Sequence, residues 1–147
     1  MSLTGNKALV RSLIDEVWNR HQPEALGRFA GAEVLPEFQE HTRQFLAAFP
    51  DVQVTIEDLI AEGDKVVARL LVRGTNTGPF AGRPATDRPV EFRSCRIYQL
   101  AGGKVIQTWA MQDRMGLMEQ LGWAQTPGGV NWAAAADDPS EPPGTGA

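Results

Sequence analysis

The hydrophobic period of this chain switches at Pro50, from helical spacing to strand alternation, and that switch restricts the fold more than any other feature. Before it, Leu9, Leu13, Ile14, Val17 and Trp18 recur on one side of a helix expected from about Asn6 to Arg20. NRHQ breaks the pattern, and Pro23 suits the first turn of a short second helix carrying Leu26 and Phe29. A third helix after Pro36 sets Phe38, Thr42, Phe45 and Phe49 on one face, and Pro50 stops it. Beyond Pro50, Val52, Val54 and Ile56 alternate with polar residues as a half-buried strand. Glu62-Gly63-Asp64 turns into a second strand, Lys65 to about Thr77, with Val66, Ala68, Leu70 and Val72 facing one way. A Gly/Pro-rich loop leads to a third strand, Val90–Leu100, then a fourth, Lys104–Gln112, and a helix, Arg114–Leu121, closed by Gly122.

Helices followed by an antiparallel meander make an α+β fold. Each helix is apolar on one side only, so a curved sheet wrapped around the N-terminal helices buries both, leaving a cone-shaped cavity suited to a ligand. With 147 residues, one domain over 1–122 is expected, followed by a Pro/Gly/Ala-rich tail over 123–147. In that tail Trp132 is either a dangling ring or a cover for the barrel mouth.

Charge and composition narrow the partners. A net charge of -4 argues against nucleic acid and anionic membrane surfaces. A lone cysteine, Cys95, with no signal peptide and no apolar run long enough to span a bilayer, leads to the expectation of a cytoplasmic protein. His21 and His41 lack the spacing of a metal motif, so no metal and no cofactor are expected.

Three segments together resemble a known family: NKALVRSLIDEVWNR, AAFPDVQVTIEDLIAEGDKVVARLLVRGTNTGPFAGRPAT and VEFRSCRIYQLAGGKVIQTWAMQDRMGLMEQLG. They resemble the SnoaL-like polyketide cyclases, within the nuclear-transport-factor-2-like and ketosteroid-isomerase-like superfamily. The resemblance implies a cystatin-like α+β barrel, a homodimer or larger assembly, and side-chain acid/base chemistry without a cofactor, such as an aldol ring closure. Three departures from the family pattern stand out. GAEVLPEF leaves no room for the hairpin and histidine usual between the second and third helices, Thr108 precedes Trp109 where histidine is common, and Asp87 stands where glycine is common.

Asp113 is the carboxylate that the resemblance singles out. It shares strand parity with Trp109 and Met111, and an apolar setting would raise its pKa towards a proton-exchanging range. Asp directly before a helix is equally a preferred N-cap. Phe92, Ser94, Arg96 and Tyr98 share a second parity, from which Tyr98 can donate to an enolate oxygen and Arg96 can hold an anion. Periodicity alone leaves open which parity faces inward. His41, at helical spacing from Phe38 and Phe45, is a candidate replacement for the missing histidine or a helix-flank residue; Arg114 and His21 read as surface residues and Cys95 as a packed one. Trp18, Phe29, Phe45, Phe49, Leu70, Trp109 and Met111 are candidates for core or substrate-binding wall.

Two functions follow. The first is a cofactor-independent enzyme of secondary metabolism acting on a small hydrophobic, carbonyl-bearing, polyketide-like metabolite by cyclisation, isomerisation or water addition, epoxide hydrolysis included. The second is a non-catalytic ligand-binding or dimerisation module of the same fold.

Overall fold

The computed structural model describes residues 2–124; the tail beyond, with Trp132, lies outside them. Helix α1 (Leu3–Leu13) starts at Ser2, whose hydroxyl accepts the Gly5 N–H, and buries Val10 and Leu13. It runs directly into a π-helical stretch, Ile14–Asn19, where Arg20 N–H reaches back to the Asp15 carbonyl and Gln22 N–H to that of Val17. The wider turn aims Val17 and Trp18 together into the core. A short 3-10 helix (Pro23–Arg28) and α2 (Leu35–Ala48) complete the layer, with Pro at the head of each.

Four antiparallel strands in the order β1-β2-β3-β4 form the curved sheet: β1 Gln53–Glu62, β2 Lys65–Thr75, β3 Pro89–Ala101 and β4 Lys104–Gln112. The bounds lie within a few residues of those expected, except that β1 runs on past a bulge between Ile56 and Asp58. No strand separates the 3-10 helix from α2; that span contributes only a bridge from Ala30 to Val105.

Register settles which parity is inward. Rows Val66–Tyr98–Thr108, Ala68–Arg96–Ala110 and Leu70–Ser94–Gln112 line the face packed on the helices. Rows Ile60–Val67–Ile97–Trp109 and Asp58–Arg69–Cys95–Met111 form the outer face. Trp109 is therefore 44% exposed and Met111 80%, which corrects the expectation that they wall the cavity. Cys95, expected to be packed, is exposed there too.

The closed end of the cone is tied by Asn76. Its side-chain amide donates to the carbonyls of Ala48 and Gly78, and its oxygen accepts from the Thr86 N–H and hydroxyl. Gly78 is required there, because a Cβ would collide with the Ala47 carbonyl. Over this end lies an aromatic cluster: Phe45 stacks on Phe49 at 4.8 Å and meets Trp18, Phe80 and Phe92 edge-on. Trp123 stacks on Phe80, and the Arg83 guanidinium lies over the Trp123 ring at 4.8 Å. His21, exposed, hydrogen-bonds the Val52 carbonyl from a left-handed turn.

Candidate active site

Inside the cone, Trp18 from the π-helical turn, His41 and Phe45 from α2, and Val54, Leu70, Val72, Phe92, Ser94, Arg96, Tyr98 and Gln112 from the sheet enclose one cavity. Its volume is only about 40 Å³. That is space for a few waters. The protein's own rings fill most of the cone, leaving a narrow apolar throat.

Of the residues singled out from sequence, Trp18, His41, Phe45, Leu70, Arg96 and Tyr98 come together on this throat, whereas Trp109, Met111 and Asp113 do not. Asp113 heads α3 (Arg114–Gln120), and its Oδ1 accepts the Gly116 N–H at 2.9 Å. Any Cβ at Gly116 would strike that carboxylate, so the glycine makes room for the cap. The turn has a structural cause. β4 ends opposite Ser94, and α3 then runs along the freed edge of β3, where the Gln120 side chain bonds both N–H and C=O of Glu91. The expectation that Asp113 points into the cavity is corrected on this account: it serves the helix.

Besides Ser94 and Gln112, the throat holds three groups suited to acid/base chemistry or anion binding. Tyr98 is fully buried, and its hydroxyl has no hydrogen-bond partner among the described residues. Burial pushes its pKa up, with Arg96 opposing, so the phenol stays protonated and able to donate. Arg96 is 9% exposed and forms no ion pair among the described residues; its guanidinium lies over the Phe38 ring at 5.5 Å. It has room because its two register neighbours, Ala68 and Ala110, are small. His41 is at the mouth, exposed on its outer side. Loss of water on its inner side, then the charges of Arg96 and Arg114, lower its pKa, and Glu37 opposes them. At neutral pH the ring is therefore neutral, with a lone pair available to take a proton. Arg114, exposed as expected, acts on the throat only through this field.

A second cleft opens from the same two residues. His41 and Arg96 also line a wider hollow between α2 and β4, with Glu33, Val34, Glu37, Phe38, Gln107, Thr108 and Ala110. Its volume is about 490 Å³. Thr108 and Phe38 were not among the site candidates. The in-register alanines flanking Arg96 are the sequence signal that locates this junction.

The SnoaL-like polyketide cyclase family model matches residues 8–121. The chain belongs to that family. TsrD from Streptomyces laurentii is similar in structure, with a TM-score of 0.78 and 25% identity over 84% of this chain and 99% of that one. AclR, a putative hydroxylase from Streptomyces galilaeus, shares the fold, with a TM-score of 0.78 and 24% identity over 84% of this chain and 100% of that one. IdmH, a putative polyketide cyclase from Streptomyces antibioticus, aligns at a TM-score of 0.66 and 26% identity over 80% of this chain and 98% of that one. No curated protein matches the chain. Among the described residues, no helix of this family member is long and apolar enough to cross a membrane, and no three His, Cys, Asp or Glu side chains gather as a metal site.

Proposed function

We propose that this SnoaL-like protein is a cofactor-independent enzyme that enolises a carbonyl-bearing, polyketide-like metabolite, with His41 as the base and Tyr98 and Arg96 as the oxyanion site. The single observation that carries the reading is a buried, unpartnered phenol sharing a throat with an unpaired guanidinium and a neutral imidazole. His41 takes a proton from the carbon next to the carbonyl; the C–H electron pair forms the enolate C=C bond as the C=O π pair moves onto the oxygen. Tyr98 donates to that oxygen and Arg96 offsets its charge in a site with little water, where such interactions are strongest. The enolate carbon then attacks a second carbonyl of the substrate, and protonated His41 returns its proton to the new alkoxide. With a β,γ double bond in place of the second carbonyl, protonated His41 returns its proton to the γ-carbon of the dienolate and the carbonyl re-forms, an isomerisation.

Binding without turnover is the competing reading, and the narrowness of the throat favours it. Deuterium uptake into the methyl group of acetophenone, followed by NMR in heavy water, separates the two. Turnover predicts protein-accelerated exchange that falls ~10²–10⁴-fold in His41→Gln. Exchange that is absent, or indifferent to that substitution, supports the binder.

A homodimer in the cytoplasm completes the proposal. The row Ile60–Val67–Ile97–Trp109 crosses all four strands on the outer face and exposes Ile60 and Trp109. Paired charges flank it, Arg69 with Asp58 and Arg93 with Glu57. Trp109→Glu should turn a dimer into a monomer in sedimentation velocity; a wild-type monomer would contradict this part.

A further inference from the structure

We infer that the cleft between α2 and β4 is a second substrate compartment, one that takes a hydroxyl-rich, uncharged group such as a glycosyl or polyol substituent. The inference rests on the enolisation reading above and names the substrate's other half. The first reason is space. With a volume of about 40 Å³, the throat holds the reacting carbonyl end and little more. The adjoining cleft offers about 490 Å³ and meets the throat at His41 and Arg96. Because His41 and Arg96 line both hollows, a molecule held by its carbonyl at Arg96 can place its other half in the cleft.

The second reason is the cleft's chemistry. Thr108 Oγ1 is buried and has no partner among the described residues, although its residue sits beside Tyr98 in the sheet register. Arg96, itself nine-tenths buried and without an ion pair among the described residues, faces both compartments. An unmade hydrogen bond at a buried hydroxyl costs stability, so the Thr108 hydroxyl beside the unpaired Arg96 on one wall of the cleft marks groups kept for a ligand. Beyond the junction the polar lining is rich in acceptors: the carboxylates of Glu33 and Glu37, the Gln107 amide oxygen and the Thr108 hydroxyl. Acceptors select hydroxyl donors. Two carboxylates in one hollow repel an anion, so an acidic extension is disfavoured despite Arg96. The apolar side of the hollow, Val34, Phe38 and Ala110, suits the carbon face of a sugar ring.

Three acetyl-bearing probes test this on the full chain: acetophenone, its para-O-glucoside and para-acetylbenzoate, with Kd from calorimetry and methyl exchange from NMR. The glucoside should bind about tenfold tighter than acetophenone and the carboxylate no tighter, one or two good hydrogen bonds being worth that factor. Thr108→Val, which keeps the shape and loses no hydrogen bond among the described residues, should remove most of the glucoside's advantage, as should Glu37→Leu, which removes an acceptor. A glucoside that gains nothing while acetophenone still exchanges overturns the cleft and leaves the enolisation reading intact. Tighter binding of the carboxylate overturns the acceptor argument. No exchange and no binding of any probe overturns both.

Discussion

The two ends of the cone treat buried polar groups in opposite ways. At the closed end every polar atom of the Asn76 side chain has a partner, and the fully buried amide stitches the loop to the end of α2. At the open end the hydroxyls of Tyr98 and Thr108 have none among the described residues, and Arg96 faces a ring instead of a carboxylate. Satisfied networks rigidify a fold, whereas unsatisfied ones cost it free energy and persist where something else uses them. The contrast identifies one end as scaffold and the other as site.

The largest effect expected from breaking this contrast is at the scaffold. Asn76→Leu strips the Asn76 partner from the Gly78 carbonyl and the Thr86 N–H at once, while the Ala48 carbonyl keeps only the Gly78 N–H. Urea unfolding should show a loss of about 2–4 kcal/mol, at ~1–3 kcal/mol for each of the two groups left unpaired. A loss below about 1 kcal/mol would mean that water replaces the amide and that the closed end is not sealed.

Asp113 comes next and sharpens the line between scaffold and site. Asp113→Ala should lower stability by about 1 kcal/mol, the usual worth of an N-cap, while Asp113→Asn, an equally good cap, stays within about 0.5 kcal/mol. Both should exchange acetophenone at the wild-type rate. An Asn variant that is stable but inactive would return the proton-transfer role to the carboxylate.

The smallest effect is in pH dependence. Because the folded pKa of His41 is below its unfolded value, the unfolded chain binds more protons in the window between them. Its contribution to stability is thus complete above about pH 6.5 and fades as pH falls through the folded pKa. The acid limb of the exchange profile should lie below that same value. Arg114→Gln, which removes one of the charges holding the imidazole down, should move the limb upward by a fraction of a unit. An unmoved limb would assign it to another group.

Much of the architecture was legible in the sequence, because the switch from helical to strand period at Pro50 and the turn glycines carry it. The inward parity was not. Ile97, Val67, Trp109 and Met111 make the outer face look as apolar as the inner one, and periodicity cannot tell a core from an interface. The same ambiguity drew Asp113 towards the cavity through its parity with Trp109. Gly116, three residues on, was the local sign of a cap. The π-helical turn leaves no periodic trace, since its extra residue falls inside a continuous apolar stripe. Arg96, Tyr98 and His41 were recognisable as types able to do chemistry, but their meeting depends on register across three strands and a helix.

Tyr98→Phe tests the account most directly, because the hydroxyl has no internal bond to lose. The variant should be as stable as the wild type, or up to about 1 kcal/mol more so, while acetophenone exchange falls ~10²-fold or further. A destabilised variant that exchanges at the normal rate would show that the phenol belongs to the scaffold and that the oxyanion site lies elsewhere.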